Sequence, residues 1–354
     1  MLHILPLLFF QYFTTNPELI LVLKVVLSIV AVISLVAVLG LFLIYMERKV
    51  AAAMQLRLGP NRVGYIGTLQ TMADTLKLLT KEGFTPGESD KFMFFLAPVI
   101  VITSAVLAFA PIPFAKGYQF WNLEIGVFYV PAVASISVIG VLMGGWASNN
   151  KYSLIGAMRS GAQIVSYELS VGLSLVSIVV LTGSMNFTTI IMSQENGWWI
   201  FKGHIPVVIS FVIFLIASTA EINRTPFDLS EAESELTAGF HTEYSGIQLA
   251  MFLLAEYVNM FVISAVAATL YFGGWMPLHI GHWEAFNHIM NFIPGVIWFV
   301  GKTLFVIFII MWFRWTFPRL RIDQLLNLEW KYLMPISLVN LLLVTIITLM
   351  GWHF

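Results

Sequence analysis

The chain has 354 residues, of which 59% are apolar and 10% are charged, whereas soluble domains carry about 25% charged residues. Eighteen Lys and Arg side chains balance nineteen Asp and Glu, so the net charge of −1 provides no field that would attract nucleic acid. The chain has no cysteine, which excludes disulfides and thiolate-ligated zinc or iron–sulfur clusters. The composition predicts an integral membrane protein and excludes a soluble globular enzyme.

Eight stretches are apolar over the length of about 20 residues that a helix needs to cross a bilayer. We therefore expect an all-α polytopic membrane protein with about eight transmembrane helices, folded as one domain over residues 1–354. The first thirteen residues are apolar but too short to span, and we expect them to lie along the interface. The predicted spans are residues 19–46, 92–114, 125–147, 160–182, 205–224, 247–272, 294–313 and 332–352.

The distribution of basic residues predicts the orientation of these spans. Fourteen of the eighteen Lys and Arg side chains lie in the loops after the first, third, fifth and seventh spans. The loops on the other face carry only Lys116 and Lys202. Because cytoplasmic loops are enriched in Lys and Arg, both termini are predicted to lie on the outer, periplasmic side.

The loop after the first span, residues 47–91, is long for a membrane connection. It opens with Glu47, Arg48 and Lys49 at the predicted bilayer surface. The sequence RLGPNRVG follows at 57–64, and its Gly and Pro residues predict a shaped turn. Backbone N–H groups, Arg57 and Arg62 could meet an anion or a partner there.

The same loop contains a predicted amphipathic helix over residues 68–82. Apolar side chains recur at helical spacing at Leu69, Met72, Leu76 and Leu79, with charged residues on the other faces. We favour a surface helix whose basic residues face anionic lipid over a ligand site at any single residue of this segment.

The loop after the fifth span, residues 221–246, is acidic although it lies on the face that should be positive. Ser230 and Glu233 have the spacing of a capping box, which predicts a short helix beginning at Ser230. A solvated acidic loop is one alternative, but interleaved aromatic residues favour packing against protein; a metal site is a weaker alternative because the spacing of a calcium loop is lacking. The acidic residues are Glu221, Asp228, Glu231, Glu233, Glu235 and Glu243.

Three carboxyl groups lie inside predicted spans. Glu168 and Glu256 are about 12 Å deep at a rise of ~1.5 Å per residue, and Glu221 lies about one turn in from the same side. Each would cost about 2.5–3.5 kcal/mol at mid-membrane, which predicts burial within protein and favours a proton relay. The alternative is three neutral, hydrogen-bonded packing residues. Lys302, in the seventh span, could be a counter-charge or a second relay element.

Several of these segments resemble one family closely. The sequences are ERK at 47–49, RLGPNRVG at 57–64, SNNKY at 148–152, SYE at 166–168, and EINRTPFD at 221–228 with EAESEL at 231–236. They are similar to the family of respiratory complex I membrane subunits that contains the bacterial H subunit and mitochondrial subunit 1. The likeness extends over nearly the whole chain, with Ser230 standing where that family usually has Pro or Ala.

The resemblance implies a membrane subunit that anchors the peripheral arm, forms part of the path by which quinone leaves the bilayer, and couples quinone reduction to proton translocation. It implies a multi-pass protein of the bacterial inner membrane, whose partners are peripheral quinone-module subunits and antiporter-like membrane subunits. FMN and iron–sulfur clusters would belong to those partners, quinone would be the substrate, and this chain would bind no cofactor or metal.

The resemblance also implies roles for single residues. The quinone path would include Glu47, Arg48, Lys49, Arg57, Arg62, Arg224 and Phe227. The proton-coupling residues would be Glu168, Glu221, Glu256, Asp228, Glu231, Glu233, Glu235 and Glu243. Two alternatives stay open: the membrane anchor of a hydrogenase-type complex, which has no quinone, and a standalone proton-coupled transporter that uses Glu168 and Glu256.

Overall fold

The computed structural model describes residues 17–195, 197–229, 237–279 and 284–351. Within these ranges the fold is all-helical, with a single isolated bridge between Ala115 and Tyr118 and no strand. The helices are α1 Pro17–Met54, α2 Gln70–Thr80, α3 Lys91–Leu107, α4 Gly126–Ala134, α5 Ile136–Ala147, α6 Lys151–Thr182, α7 Phe187–Met192, α8 Trp199–Lys202, α9 His204–Glu221, α10 Gly246–Tyr271, α11 Glu284–Asn291, α12 Gly295–Thr316, α13 Ile322–Leu328 and α14 Met334–Leu349.

In the described part of the chain, seven helical stretches are long and apolar enough to cross a membrane. They coincide with seven of the eight predicted spans. The remaining prediction, residues 92–114, contains α3, an apolar helix of 17 residues. Pro111 and Pro113 follow α3, and because proline cannot continue a helix, the rest of that stretch forms turns.

Helix α1 runs on past residue 46, the predicted end of the first span. Glu47, Arg48 and Lys49 are therefore helical and do not begin a loop as expected. Three consecutive alanines at 51–53, the best helix formers, carry the helix on to Met54. In this extension Glu47 contacts Arg224, which follows α9, and Arg314 at the end of α12.

The predicted span at 125–147 is divided into α4 and α5 by a break at Ser135. The Ser135 hydroxyl lies 2.9 Å from the carbonyl oxygen of Pro131, a local bond that bends helices. Farther along, a Cβ atom on Gly140 would lie 2.5 Å from Val101 of α3. The small residue therefore permits the close packing of α5 on α3.

The centre of the bundle is formed by α6 and α10. Helix α6 packs against α5, α9 and α14, while α10 packs against α3, α12 and α1. Helix α1 lies at the periphery and is mostly exposed along its apolar length. The rest of the described chain therefore leaves most of the apolar surface of α1 uncovered.

Helix α2 lies inside the range 68–82 that the apolar spacing predicted. Its apolar stripe, Leu69, Met72, Leu76 and Leu79, is about half exposed at each position. The helix predicted to begin at Ser230 and the interfacial segment 1–13 lie outside the described residues.

Candidate functional site

One end of the bundle brings together the end of α1, the loop between α9 and α10, and the end of α12. These elements contribute Glu47, Arg224 and Arg314 respectively. The first two residues were predicted from the sequence as part of one site, whereas Arg314 was not. The meeting of these ends creates a charged cluster at the edge of an apolar bundle.

Glu47 is the centre of this cluster and is 5% exposed. Nη1 of Arg224 lies 3.1 Å from Oε1 and 3.2 Å from Oε2 of Glu47. Nη1 of Arg314 also donates to Oε1. Two cations thus offset the desolvation of one buried carboxylate, and removing either would leave Glu47 with a single cation.

Arg224 extends the cluster toward α10. Its Nη2 atom lies 3.8 Å from Oε2 of Glu256, and its guanidinium lies 4.6 Å from the ring centroid of Tyr257. Burial lowers the pKa of the Arg224 guanidinium, but Glu47, Tyr257 and Glu256 outweigh that effect and raise the pKa above its ordinary value. Arg224 is therefore a permanent cation that holds Glu47 and Glu256 together.

The loop that carries Arg224 is fixed to α6. The side-chain nitrogen of Asn223, a residue with φ of 51°, donates to the Ser160 hydroxyl at 2.9 Å. Nε2 of Gln163 donates to the carbonyl oxygens of Ala220 at 2.7 Å and Phe227 at 2.9 Å. These hydrogen bonds fix the loop to α6.

The end of the same loop contains a second ion pair. Oδ2 of Asp228 lies 3.5 Å from Nη2 of Arg319. Burial raises the pKa of Asp228, and Arg319 and Arg314 partly oppose that rise. Burial also lowers the pKa of His241, against the opposing effect of Glu256 and Asp228. The loop therefore contains two groups, Asp228 and His241, whose pKa values burial shifts toward the neutral form.

Beside the charged cluster lies a cavity of about 820 Å³. Glu47 and Arg314 form part of its wall together with the predicted residues Arg48, Arg57 and Arg62. The cavity is also lined by Ala51, Leu58, Gly59, Pro60, Asn61, Gln70, Tyr257 and Trp315. The RLGPNRVG turn therefore faces the cluster across a space large enough for an organic ligand.

The other residues predicted for this path lie outside the wall of the cavity. The Lys49 ammonium lies over the Tyr45 ring, 5.6 Å from its centroid. Phe227 is buried, with its ring centroid 5.7 Å from that of Tyr167. Arg224 does not line the cavity but donates a hydrogen bond to Glu47, which does. Arg48 also forms an exposed ion pair with Asp74 of α2.

The carboxyl groups of the predicted relay fall into two groups. Glu168 is hydrogen-bonded to Ser135 at the break between α4 and α5, and Glu221 lies close enough to interact electrostatically with Glu168. Glu221 also lines a small cavity of about 40 Å³ with Ser137 and Asn259, which is large enough for a water molecule. Glu256 instead belongs with Arg224 and Glu47.

The acidic loop is described at both of its ends. Glu243 accepts a 2.6 Å hydrogen bond from Asn150 of the SNNKY segment, away from the charged cluster. Glu231, Glu233 and Glu235 lie outside the described residues. Within the described ranges, no group of three or more His, Asp and Glu side chains has an arrangement that would hold a metal ion.

Lys302 lies toward the opposite end of the bundle from the charged cluster. Its ammonium donates to the carbonyl oxygens of Phe272 at 2.6 Å, Gly274 at 2.9 Å and Met276 at 2.6 Å. It also lies 4.3 Å from the ring centroid of Trp198. The three ammonium protons match these three carbonyl oxygens, which follow the end of α10. Lys302 therefore holds α12 to that segment.

The fold and the charged cluster define a class: a polytopic helical membrane protein with an arginine-rich cavity at one end. The sequence comparisons identify the family within this class. Residues 26–345 match the NADH dehydrogenase family. The chain belongs to this family, which comprises the bacterial H subunits and the subunit 1 proteins.

Curated relatives agree with this assignment. The NADH-quinone oxidoreductase H subunit of Bacteroides thetaiotaomicron is 60% identical over 315 residues, which cover 89% of this chain and 88% of the relative. The protein of the same name from Bacteroides fragilis shows the same identity and coverage. That of Brevibacillus brevis is 50% identical over 306 residues, covering 86% of this chain and 88% of the relative.

Proposed function

We propose that this chain is the membrane subunit of a proton-translocating NADH:quinone oxidoreductase, resident in a bacterial inner membrane. The names of its relatives and the match over most of the chain support this proposal. In this proposal the chain crosses the membrane eight times, with α3 as the short second span and both termini outside. The charged cluster then faces the cytoplasm, where the peripheral arm docks.

The cavity beside Glu47 is the proposed passage for quinone. Its guanidinium groups can donate hydrogen bonds to the carbonyl oxygens of a quinone headgroup, and such charge-assisted bonds are stronger than neutral ones. Leu58 is 88% exposed beside the arginines and supplies an apolar surface for an isoprenoid tail. The arginine-rich wall built on the Glu47–Arg314 contact is the observation that carries the proposal.

Electrons would reach quinone from FMN and iron–sulfur clusters in the partner subunits. This chain would guide the quinone and respond to its charge. A negative charge that develops on quinone near Arg314 competes with Glu47 for the same cations. Because Arg224 and Gln163 fix the loop between α9 and α10, a change in this balance would act on α6, which carries Glu168, and on Glu221 at the end of α9.

The test compares variants of the cavity in the assembled complex. Arg57→Ala and Arg62→Ala are expected to raise the KM for a short-chain quinone about tenfold, the effect of losing a charged hydrogen bond of about 1.5 kcal/mol. NADH:ferricyanide activity, which needs only the peripheral arm, is expected to be unchanged. Lys77→Ala removes an exposed charge from α2 outside the cavity wall and is the matched control.

An unchanged quinone KM in fully assembled Arg57 and Arg62 variants would contradict the proposed passage. A native gel of the solubilised, tagged chain tests the assembly itself. The proposal predicts a band far above 39.7 kDa that stains for NADH dehydrogenase activity. A large band without that activity would favour a hydrogenase-type complex instead, and a small band alone would favour a standalone transporter.

A further inference from the structure

Glu329 is a buried carboxyl group that the proposed relay does not include. It begins a five-residue π-helical turn, Glu329–Leu333, that joins α13 to α14. The N–H group of Met334 closes this turn by donating to the Glu329 carbonyl oxygen. Pro335 follows and has no N–H, and its ring would clash with the carbonyl four residues earlier in an ordinary helix, which favours the wider turn. Such turns recur at functional sites.

The Glu329 side chain has no exposed surface. Its Oε1 atom accepts a hydrogen bond from the Ser170 hydroxyl of α6. Its Oε2 atom is buried and has no hydrogen-bond partner among the described residues. No described Lys, Arg or His side chain lies within ion-pair distance of Glu329.

The neighbouring elements carry acidic and basic groups, and none of the described basic groups pairs with Glu329. The turn packs against α6, α9, α13 and α14. The nearest of these groups is Tyr167, which interacts electrostatically with Glu329 and whose hydroxyl donates to the Leu325 carbonyl oxygen at 2.9 Å. Besides Tyr167, these four helices carry the acidic Glu168, Glu221 and Asp323 and the basic Lys151, Arg159 and His204, and the turn itself carries Lys331 and Tyr332, which are exposed.

A buried carboxylate without a cation is far more costly than a buried carboxylic acid. The single hydrogen bond from Ser170 does not offset that cost. We propose that Glu329 is a proton-exchanging carboxylic acid of the membrane domain, which holds a proton in the resting protein and changes its protonation or hydrogen bonding when quinone is reduced.

Its position relates Glu329 to the site already described. Ser170 and Glu168 are two residues apart on α6, so they lie about 200° apart around the helix at 3.6 residues per turn. Helix α6 therefore carries Glu168 on one side and contacts Glu329 through Ser170 on the other, with Tyr167 beside Glu329. The Tyr167 ring contacts Phe227 of the loop that carries Arg224. A shift of that loop thus reaches Glu329 through two aromatic rings.

The change at Glu329 on quinone reduction rests on the proposed function, whereas the protonated state of Glu329 in the resting protein does not. The experiment is redox-induced infrared difference spectroscopy on the intact complex, in H₂O and D₂O. The wild type is expected to show a carboxylic C=O band that shifts in D₂O and is lost in Glu329→Gln. Asp323→Asn removes an exposed carboxyl on adjacent α13 and is expected to keep the band. Ser170→Ala, which removes the hydrogen bond to Oε1, is expected to shift the same band.

A band that is identical in the wild type, Glu329→Gln and Ser170→Ala would overturn the proposal, as would a wild-type difference spectrum without any carboxylic band. If Glu329→Gln fails to assemble, the presence or absence of the shift in Ser170→Ala decides the outcome. Absence of NADH:quinone activity in the wild-type complex would instead overturn the proposed function. An active wild type without a Glu329 band would overturn this inference alone.

Discussion

Arg224 donates to both carboxylate oxygens of Glu47, at 3.1 Å and 3.2 Å, although the two residues are 177 positions apart in the chain. This contact fixes the loop between α9 and α10 to the end of α1. Because Arg314 donates to the same carboxylate, one buried group joins three elements. Because Glu47 and Arg314 both line the cavity, this joint also fixes one part of the cavity wall.

The first prediction concerns the joint itself. Arg224→Met leaves Glu47 with one cation, and breaking a buried pair costs about 3–5 kcal/mol. We expect a lower thermal stability of the complex and loss of quinone reductase activity. Arg224→Lys keeps the charge but has one nitrogen, so it cannot face Glu47 and Glu256 at once as Nη1 and Nη2 of Arg224 do, and an intermediate loss is expected. Equal stability of the wild type and Arg224→Met would argue against a structural joint.

The second prediction concerns the close approach of the acidic loop to α6. A Cβ atom on Gly156 would lie 2.8 Å from Cα of Gly239. Gly156→Ala must therefore displace backbone, and we expect a destabilisation of about 1–3 kcal/mol together with lower quinone reductase activity. Gly172→Ala is the matched control on α6, since a Cβ atom there meets nothing within 4 Å. It should be neutral or stabilising.

The third prediction concerns proton movement. Glu168→Gln and Glu221→Gln keep the shape of each side chain but cannot exchange a proton. In proteoliposomes we expect a lower proton-to-electron ratio or a blocked quinone-linked rate, with NADH:ferricyanide activity retained. Glu124→Gln, at an exposed position, is the control. A normal ratio and a normal rate in both buried variants would refute a relay through this pair.

The fourth prediction is a pH dependence from His241. Burial lowers its pKa in the folded protein, so its contribution to stability is present above the unfolded pKa of about 6.5 and is lost as pH falls through the lower folded value. The slope for one group is at most about 1.4 kcal/mol per pH unit. Melting temperatures between pH 7.5 and pH 5 should therefore fall less in His241→Gln than in the wild type. Parallel curves for the two proteins would contradict the prediction.

The fifth prediction concerns the far end of the bundle. Lys302→Met removes the shared donor of three carbonyl oxygens, and each unsatisfied buried group costs about 1–3 kcal/mol. We expect reduced stability of the complex at every pH, measured by thermal unfolding. Lys116→Met, at an exposed position, should leave stability unchanged. A Lys302→Met complex as stable as the wild type would contradict this prediction.

The positions of the helices could be predicted from the sequence because long apolar stretches have few other stable arrangements in a bilayer. The sequence placed Glu47 and Arg224 in one site but did not predict that they contact each other, since hydropathy does not reveal which helix ends meet. Arg314 was missed for the same reason. The end of α1 was predicted too early because Glu47, Arg48 and Lys49 resemble the start of a loop, whereas Glu47 is paired inside the protein and the helix continues through all three residues.

Glu329 could have been found from its spacing. Leu325, Glu329 and Leu333 recur every four residues, and all three are buried on one face. The sequence suggested a loop for Glu329 because Arg314, Arg319, Arg321 and Lys331 surround it in the chain. The apolar periodicity on both sides was the better signal, since a charged residue at a buried position of a helix indicates a specific environment.

The most direct test of the central claim is photolabelling of the active complex with an azido-quinone, followed by peptide mapping. If the cavity beside Glu47 is the quinone passage, label should appear on residues 57–62 and near Trp315, and excess unlabelled quinone should prevent it. Label confined to other subunits, with these residues unmodified while the complex turns over, would contradict a quinone passage in this chain.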